Sequence, residues 1–108
     1  MNLLLTEFVM KDLPAVLELW RSTEGIGLSA ADRPERIESF LARNPGMSFT
    51  AWDGERLVGA VLCGHDGRRG YLHHLVVAAD YRRMGIGRVI LEKALNALTA
   101  ENIDKAHI

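Results

Sequence analysis

The stretch His74-Leu75-Val76-Val77-Ala78-Ala79-Asp80-Tyr81-Arg82-Arg83-Met84-Gly85-Ile86-Gly87-Arg88 decides how the rest of the chain is read. An apolar run passes into a short turn rich in arginine and glycine, and the turn opens into a segment with helical periodicity. The first N–H groups of a helix lack acceptors, and the helix dipole concentrates partial positive charge beside them. Glycines at 85 and 87 remove the Cβ atoms that would keep a phosphate from the backbone. Arg82, Arg83 and Arg88 add charge-assisted donors around the same turn. The plainer alternative is a helix start with a solvated rim. The stretch is no Walker A loop, since no Lys-Ser/Thr follows the glycines, and it lacks the third glycine of a dinucleotide fingerprint.

Working outward, helical spacing continues after Gly85, with Leu91, Leu95 and Leu98 on one expected stripe. Upstream, Met47–Trp52 and Arg56–Gly64 flank Asp53-Gly54, a two-residue hairpin signal. A second turn at Asp66–Gly70 leads into Tyr71–Val77, completing an antiparallel meander. Leu3–Val9 reads as a first strand. Asp12 is the expected N-cap of a helix with Pro14 in its first turn, ending near Gly25 and burying Val16, Leu17 and Trp20. A second helix follows Pro34 with Ile37, Phe40 and Leu41 inward, and Asn44-Pro45-Gly46 stops it. Lys105–Ile108 looks like a further strand. The order β-α-α-β-β-β-α-β predicts an α/β (α+β) fold, a mixed, mostly antiparallel sheet with flanking helices, as a single domain over 1–108.

Composition narrows the function. The 108 residues, 48% hydrophobic and 25% charged, suit one ordinary globular domain rather than a disordered or fibrous chain. Thirteen basic against fourteen acidic residues argue against a dedicated nucleic-acid or anionic-membrane binder. The charge is uneven: residues 1–54 hold five basic and eight acidic groups, residues 55–108 eight and six. Lone Cys63 cannot form an internal disulfide, and four histidines without a cysteine cluster do not spell a zinc site. Cys63 is expected in a strand on the face of Leu57 and Val61, as a small buried thiol. No signal peptide or membrane span is expected, and a cytoplasmic setting is the default.

The segment Arg82-Arg83-Met84-Gly85-Ile86-Gly87, behind Leu75-Val76-Val77, resembles the R-x-x-G-x-G motif and central strand of the GNAT superfamily of acyl-CoA N-acyltransferases. The resemblance extends over the early helices and the hairpin. It implies acetyl-CoA as co-substrate and no metal. The pyrophosphate would rest on the backbone of Arg83, Met84, Gly85, Ile86, Gly87 and Arg88, beside Arg82, and the pantetheine arm would run along Leu75, Val76 and Val77. The function it implies is acetyl transfer to a primary amine in a ternary complex. The alternative is an impaired acyl-CoA-binding module that lacks the acceptor half.

Amine acylation needs a neutral amine, so a base is sought. Strand alternation puts Tyr71, His73, Leu75 and Val77 on one face, and Leu72, His74 and Val76 on the other. Only one of the adjacent histidines should then face a given cleft. His73 is the candidate water-relayed base, with Tyr71 beside it and His74 behind it; some family members resemble this chain in a histidine at His73, and others place glutamate at Tyr71. A hydrogen-bonded packing role is the competing reading of His73. Family domains continue past the last strand and commonly take from there a tyrosine acting as general acid; Tyr71 and Tyr81 do not occupy its place. A shortened piece, a naturally short form, or completion by a homodimer or strand-exchanged partner would each account for this.

Overall fold

Branched and aromatic residues separated by tight turns give five strands, and proline-opened or glycine-opened segments give three helices. The computed structural model describes all of Met1–Ile108. Its elements are β1 (Leu3–Glu7), α1 (Leu13–Arg21), α2 (Pro34–Arg43), β2 (Phe49–Asp53), β3 (Arg56–His65), β4 (Gly70–Val77), α3 (Ile86–Ala100) and β5 (Ala106–His107). The sheet order is β1-β2-β3-β4-β5, antiparallel except for the last pair. This is the expected mixed, mostly antiparallel α/β architecture. No helix is long and apolar enough to cross a membrane.

Each sheet face carries its own core. One face packs α3 through Ile86, Ile90, Ala94 and Leu98 onto Val58, Val61, Cys63 and Leu72. The opposite face packs α1 and α2 through Val16, Trp20 and Ile37 onto Leu57, Ala60, Leu62 and Val76. Close approach of α3 is set by two glycines without side chains in the way. A Cβ on Gly59 would stand 2.7 Å from Ile90 Cδ1, and one on Gly70 only 2.5 Å from Leu98 Cδ1.

Several local expectations change. The α3 stripe is Ile90-Ala94-Leu98, and Leu95 faces out, because the small Ala94 lets the helix settle on the sheet. Asp12 does not cap α1: its carboxylate accepts the Val9 N–H at 3.0 Å and closes the turn Met10–Asp12 instead. Helix α1 stops at Arg21 rather than near Gly25, where the Ser22 and Thr23 hydroxyls both donate to the Leu19 carbonyl.

The larger corrections come from two irregularities in the meander. Ala51 pairs with Gly59 but Trp52 with Leu57, so β3 carries one extra residue there. That turns Leu57 to the α1/α2 face, away from Val61 and Cys63 with which alternation had grouped it. Cys63 is fully buried as expected, and burial pushes its thiol up to about 11. On β4, Ala60 pairs with Val76 while Leu62 pairs with His73. The extra residue sits at His74, whose φ is +53°. Beyond it the faces exchange: Leu75 and Val77 pack with Leu72 on the α3 side, and Val76 joins α1.

Candidate active site

The turn after β4 is pinned to the β2–β3 hairpin before it reaches its glycines. Arg56 makes a two-pronged pair with Asp80 at 2.8 Å per contact, and its guanidinium lies 4.8 Å from the Tyr81 ring centre. The Tyr81 hydroxyl donates to Asp53 at 2.6 Å, which lowers the Asp53 carboxyl and raises the tyrosine. Tyr81 therefore serves as an anchor. Arg82 follows, its Nε donating to the Val77 carbonyl at 3.1 Å. Arg83 and Gly85 take left-handed conformations, with φ +66° and +82°, and Gly85 opens α3 with no side-chain cap.

The outcome is a concave row of donors. The first helical bond runs from Val89 N–H to the Gly85 carbonyl, and the N–H groups of Arg83 through Arg88 have no acceptor in the chain. A Cβ at Gly87 would meet nothing nearer than Val77 Cγ2, at 3.5 Å, so the space over the row is open. Met84 and Arg83 are exposed, Ile86 is buried under α3, and Arg88 pairs with Glu92 one turn on. Next to this row, β5 pairs with β4 only at Gly70 and Tyr71, so the β4 edge from Leu72 to Val77 has no strand beside it. Backbone donors, a glycine clearing and an open strand edge fit a phosphate followed by an extended chain.

On the other face the bulge brings both histidines together, contrary to the expectation that only one could enter a cleft. Tyr71, His73 and His74 all line a cavity of about 540 Å³ roofed by α2 and the segments that flank it, including Gly27, Asp32, Phe40 and Asn44. The loop between α1 and α2 contributes Gly27 to the lining, while Ile26 and Leu28 pack against the core on the α1/α2 face. Alternation had no means of finding this pairing, because a single left-handed residue resets the period.

The histidines have different surroundings. His74 Nε2 donates to Asp32 Oδ1 at 3.0 Å, its ring sits edge-on to Trp20 at 4.9 Å, and the Trp20 Nε1–H donates to its carbonyl at 3.1 Å. Asp32, only 8% exposed, spends its other oxygen on the Ser29 N–H. His74 is thus held through Nε2, through its ring and through its carbonyl. His73 is more open, edge-on to Phe40 at 6.0 Å and parallel to Tyr71 at 6.4 Å. Desolvation, and then the neighbouring His74, lower its pKa below the usual 6.5, against an opposing pull from Asp32. Burial thus shifts His73 toward its neutral form. The Tyr71 hydroxyl donates to Asp66, whose other oxygen caps the Arg68 and Arg69 amides.

Strain at His74 is testable by itself. Both His74→Gly and His74→Ala lose the ring contacts, but only alanine keeps the left-handed penalty. The glycine variant should be more stable by about 1 kcal/mol in urea unfolding, the reverse of the usual strand order.

Comparison with known proteins agrees with this geometry. Residues 13–108 match the family model described as the acetyltransferase (GNAT) family. An acetyltransferase of Pectobacterium atrosepticum is 31% identical over 102 residues, covering 94% of this chain and 71% of that one. N-alpha-acetyltransferase 30 of Xenopus laevis is 38% identical over 71 residues, 61% of this chain and 26% of its own length. The PaiA N-acetyltransferase of Thermoplasma acidophilum, solved in complex with coenzyme A, superposes with a TM-score of 0.81 at 17% identity, over 95% of this chain and 76% of that structure. The chain belongs to the GNAT acetyltransferase family.

Proposed function

We propose that this chain moves an acetyl group from acetyl-CoA to a primary amine by direct attack in a ternary complex. The observation that carries the reading is the unpaired N–H row of Arg83 to Arg88 lying at the end of an open β4 edge. The row would hold the pyrophosphate, with the Arg82 and Arg88 guanidiniums at its rim. The backbone of Leu75, Val76 and Val77 would pair with the amides of the pantetheine arm, as an added strand does. The same edge would suit the exchanged strand of a second copy, so cofactor and partner are rival occupants, and the adjoining N–H row favours the cofactor. The coenzyme A complex of the Thermoplasma relative supports the same choice.

The two halves of the site meet at the bulge. The amine would enter from the 540 Å³ cavity, the thioester from the opposite edge, and β4 lies between them. As the amine nitrogen bonds to the thioester carbonyl carbon, a β4 backbone N–H would donate to the oxygen on which charge develops. The C–S bond then breaks and coenzyme A leaves as its thiolate. The ammonium proton would pass through a water to His73, whose lowered pKa keeps it free to accept. Tyr71, stacked against His73, would hold the ring plane.

Calorimetric titration with acetyl-CoA should give saturable micromolar binding near one site per chain, and no saturation would remove the reading. His73→Ala should lower kcat/KM by roughly 10²-fold at neutral pH while leaving acetyl-CoA affinity unchanged. In the parent, activity should fall as pH drops through the His73 pKa, at a position below 6.5 because burial depresses it. An unchanged acid limb in the variant would make His73 a packing residue.

A further inference from the structure

The charges around the cavity are unevenly used. Its two carboxylates are both consumed inside the fold: Asp32 by His74 and the Ser29 amide, Asp66 by the Tyr71 hydroxyl and two turn amides. Its two arginines are not. Arg36 and Arg43 lie seven residues apart on the cavity-lining side of α2, and neither guanidinium forms an ion pair or a hydrogen bond. Seven helical residues advance roughly 10 Å, so the arginines flank Phe40, which lies between them on the same stripe. Phe40 in turn stands 6.0 Å from His73, ring centre to ring centre. The cavity therefore offers unengaged positive charge on either side of the ring that faces the candidate base.

We propose that the acceptor is a small primary amine carrying an anionic group, a carboxylate or a phosphate, which Arg36 and Arg43 bind while the amine reaches His73. The inference rests on the acyl-transfer reading and names its substrate class. Guanidinium forks match the paired oxygens of either anion. A diamine would place a second cation against the arginines, and a neutral amide would leave them unpaired.

A matched series tests this on the 108-residue chain: 4-aminobutanoate, 4-aminobutanamide, 1,4-diaminobutane and 3-aminopropylphosphonate. Binding to the free and the coenzyme A-loaded chain would be followed by the His73 and Phe40 ring resonances, with acetylation rates measured in parallel. The acid or the phosphonate should bind at least tenfold more tightly than the amide, and the diamine most weakly. The stronger of the first two identifies the anion. Arg36→Gln with Arg43→Gln should abolish that preference, raising KM for the anionic amine about tenfold or more, with little change for the amide and none in coenzyme A affinity. Both side chains are exposed, so the fold should survive the change. Equal binding of acid, amide and diamine, or a preference that persists in the double variant, overturns the inference. Loss of coenzyme A binding with the preference intact would instead count against the acyl-transfer reading alone.

Discussion

Gly87→Glu should abolish acetyl-CoA binding while leaving a folded chain. The position opens the second residue of α3, where a Cβ would have only Val77 Cγ2 near it, at 3.5 Å. Its backbone is helical, so a side chain there brings no left-handed strain, and glutamate is a better helix former than glycine by roughly 0.5–1 kcal/mol. The carboxylate would even be favoured by the helix dipole in the free protein. What changes is the clearing. A negative group would stand over the N–H groups of Arg83 to Arg88, occupying the donors and repelling a pyrophosphate. Charge-assisted hydrogen bonds contribute about 1.5–3 kcal/mol each. Losing two of them predicts an affinity drop of roughly 10²-fold or more in calorimetry. Gly87→Ala is the control: it should raise the melting temperature by a few degrees and weaken binding far less. Unchanged affinity in the glutamate variant, with circular dichroism intact, would remove the phosphate-loop assignment.

This clearing was readable from residues because its ingredients are local. A strand, two glycines spaced by one residue, and a helix start need no knowledge of distant contacts, and the observed Gly85 φ of +82° is what a glycine there provides. The meander and both early helices were likewise set by local turn and proline chemistry. Faces were less legible. Alternation assumes an unbroken period of two, and each bulge breaks it through pairing with a neighbouring strand, which no single segment encodes. For that reason alternation alone puts Leu57, Leu75 and Val77 on the opposite face from the one they occupy. His74 gave no warning, since a left-handed residue inside a strand usually announces itself as glycine or asparagine. In the sheet a histidine is held there by a tryptophan fifty-four positions away and a carboxylate forty-two positions away. On α3 the leucine pattern locates Leu98 and the partly buried Leu91 but not Ile90 and Ala94, because what decides the stripe is how near the sheet the helix must lie.

That dependence makes Trp20 the residue whose loss should cost most. It is fully buried, tilted against Phe8, edge-on to His74, and its indole N–H satisfies the His74 carbonyl. Trp20→Ala should remove about 3–5 kcal/mol, through the lost side chain and the cavity left behind. Domains of this size hold only about 5–15 kcal/mol in total, so a substantial unfolded fraction near 37 °C is expected by circular dichroism. Trp20→Phe separates packing from the hydrogen bond. It keeps an aromatic ring but leaves the bulge carbonyl without its donor, for an expected loss of about 1–3 kcal/mol. The consequence should reach the cavity, because the bulge is what turns His73 and His74 to the same side. Amide exchange should accelerate around His74 more than across β1 and β2, and acceptor KM should rise with acetyl-CoA affinity nearly unchanged. If Trp20→Phe melts with the parent and exchanges evenly, the bulge is held by strand pairing alone, and the Asp32–His74 contact is a passenger on it.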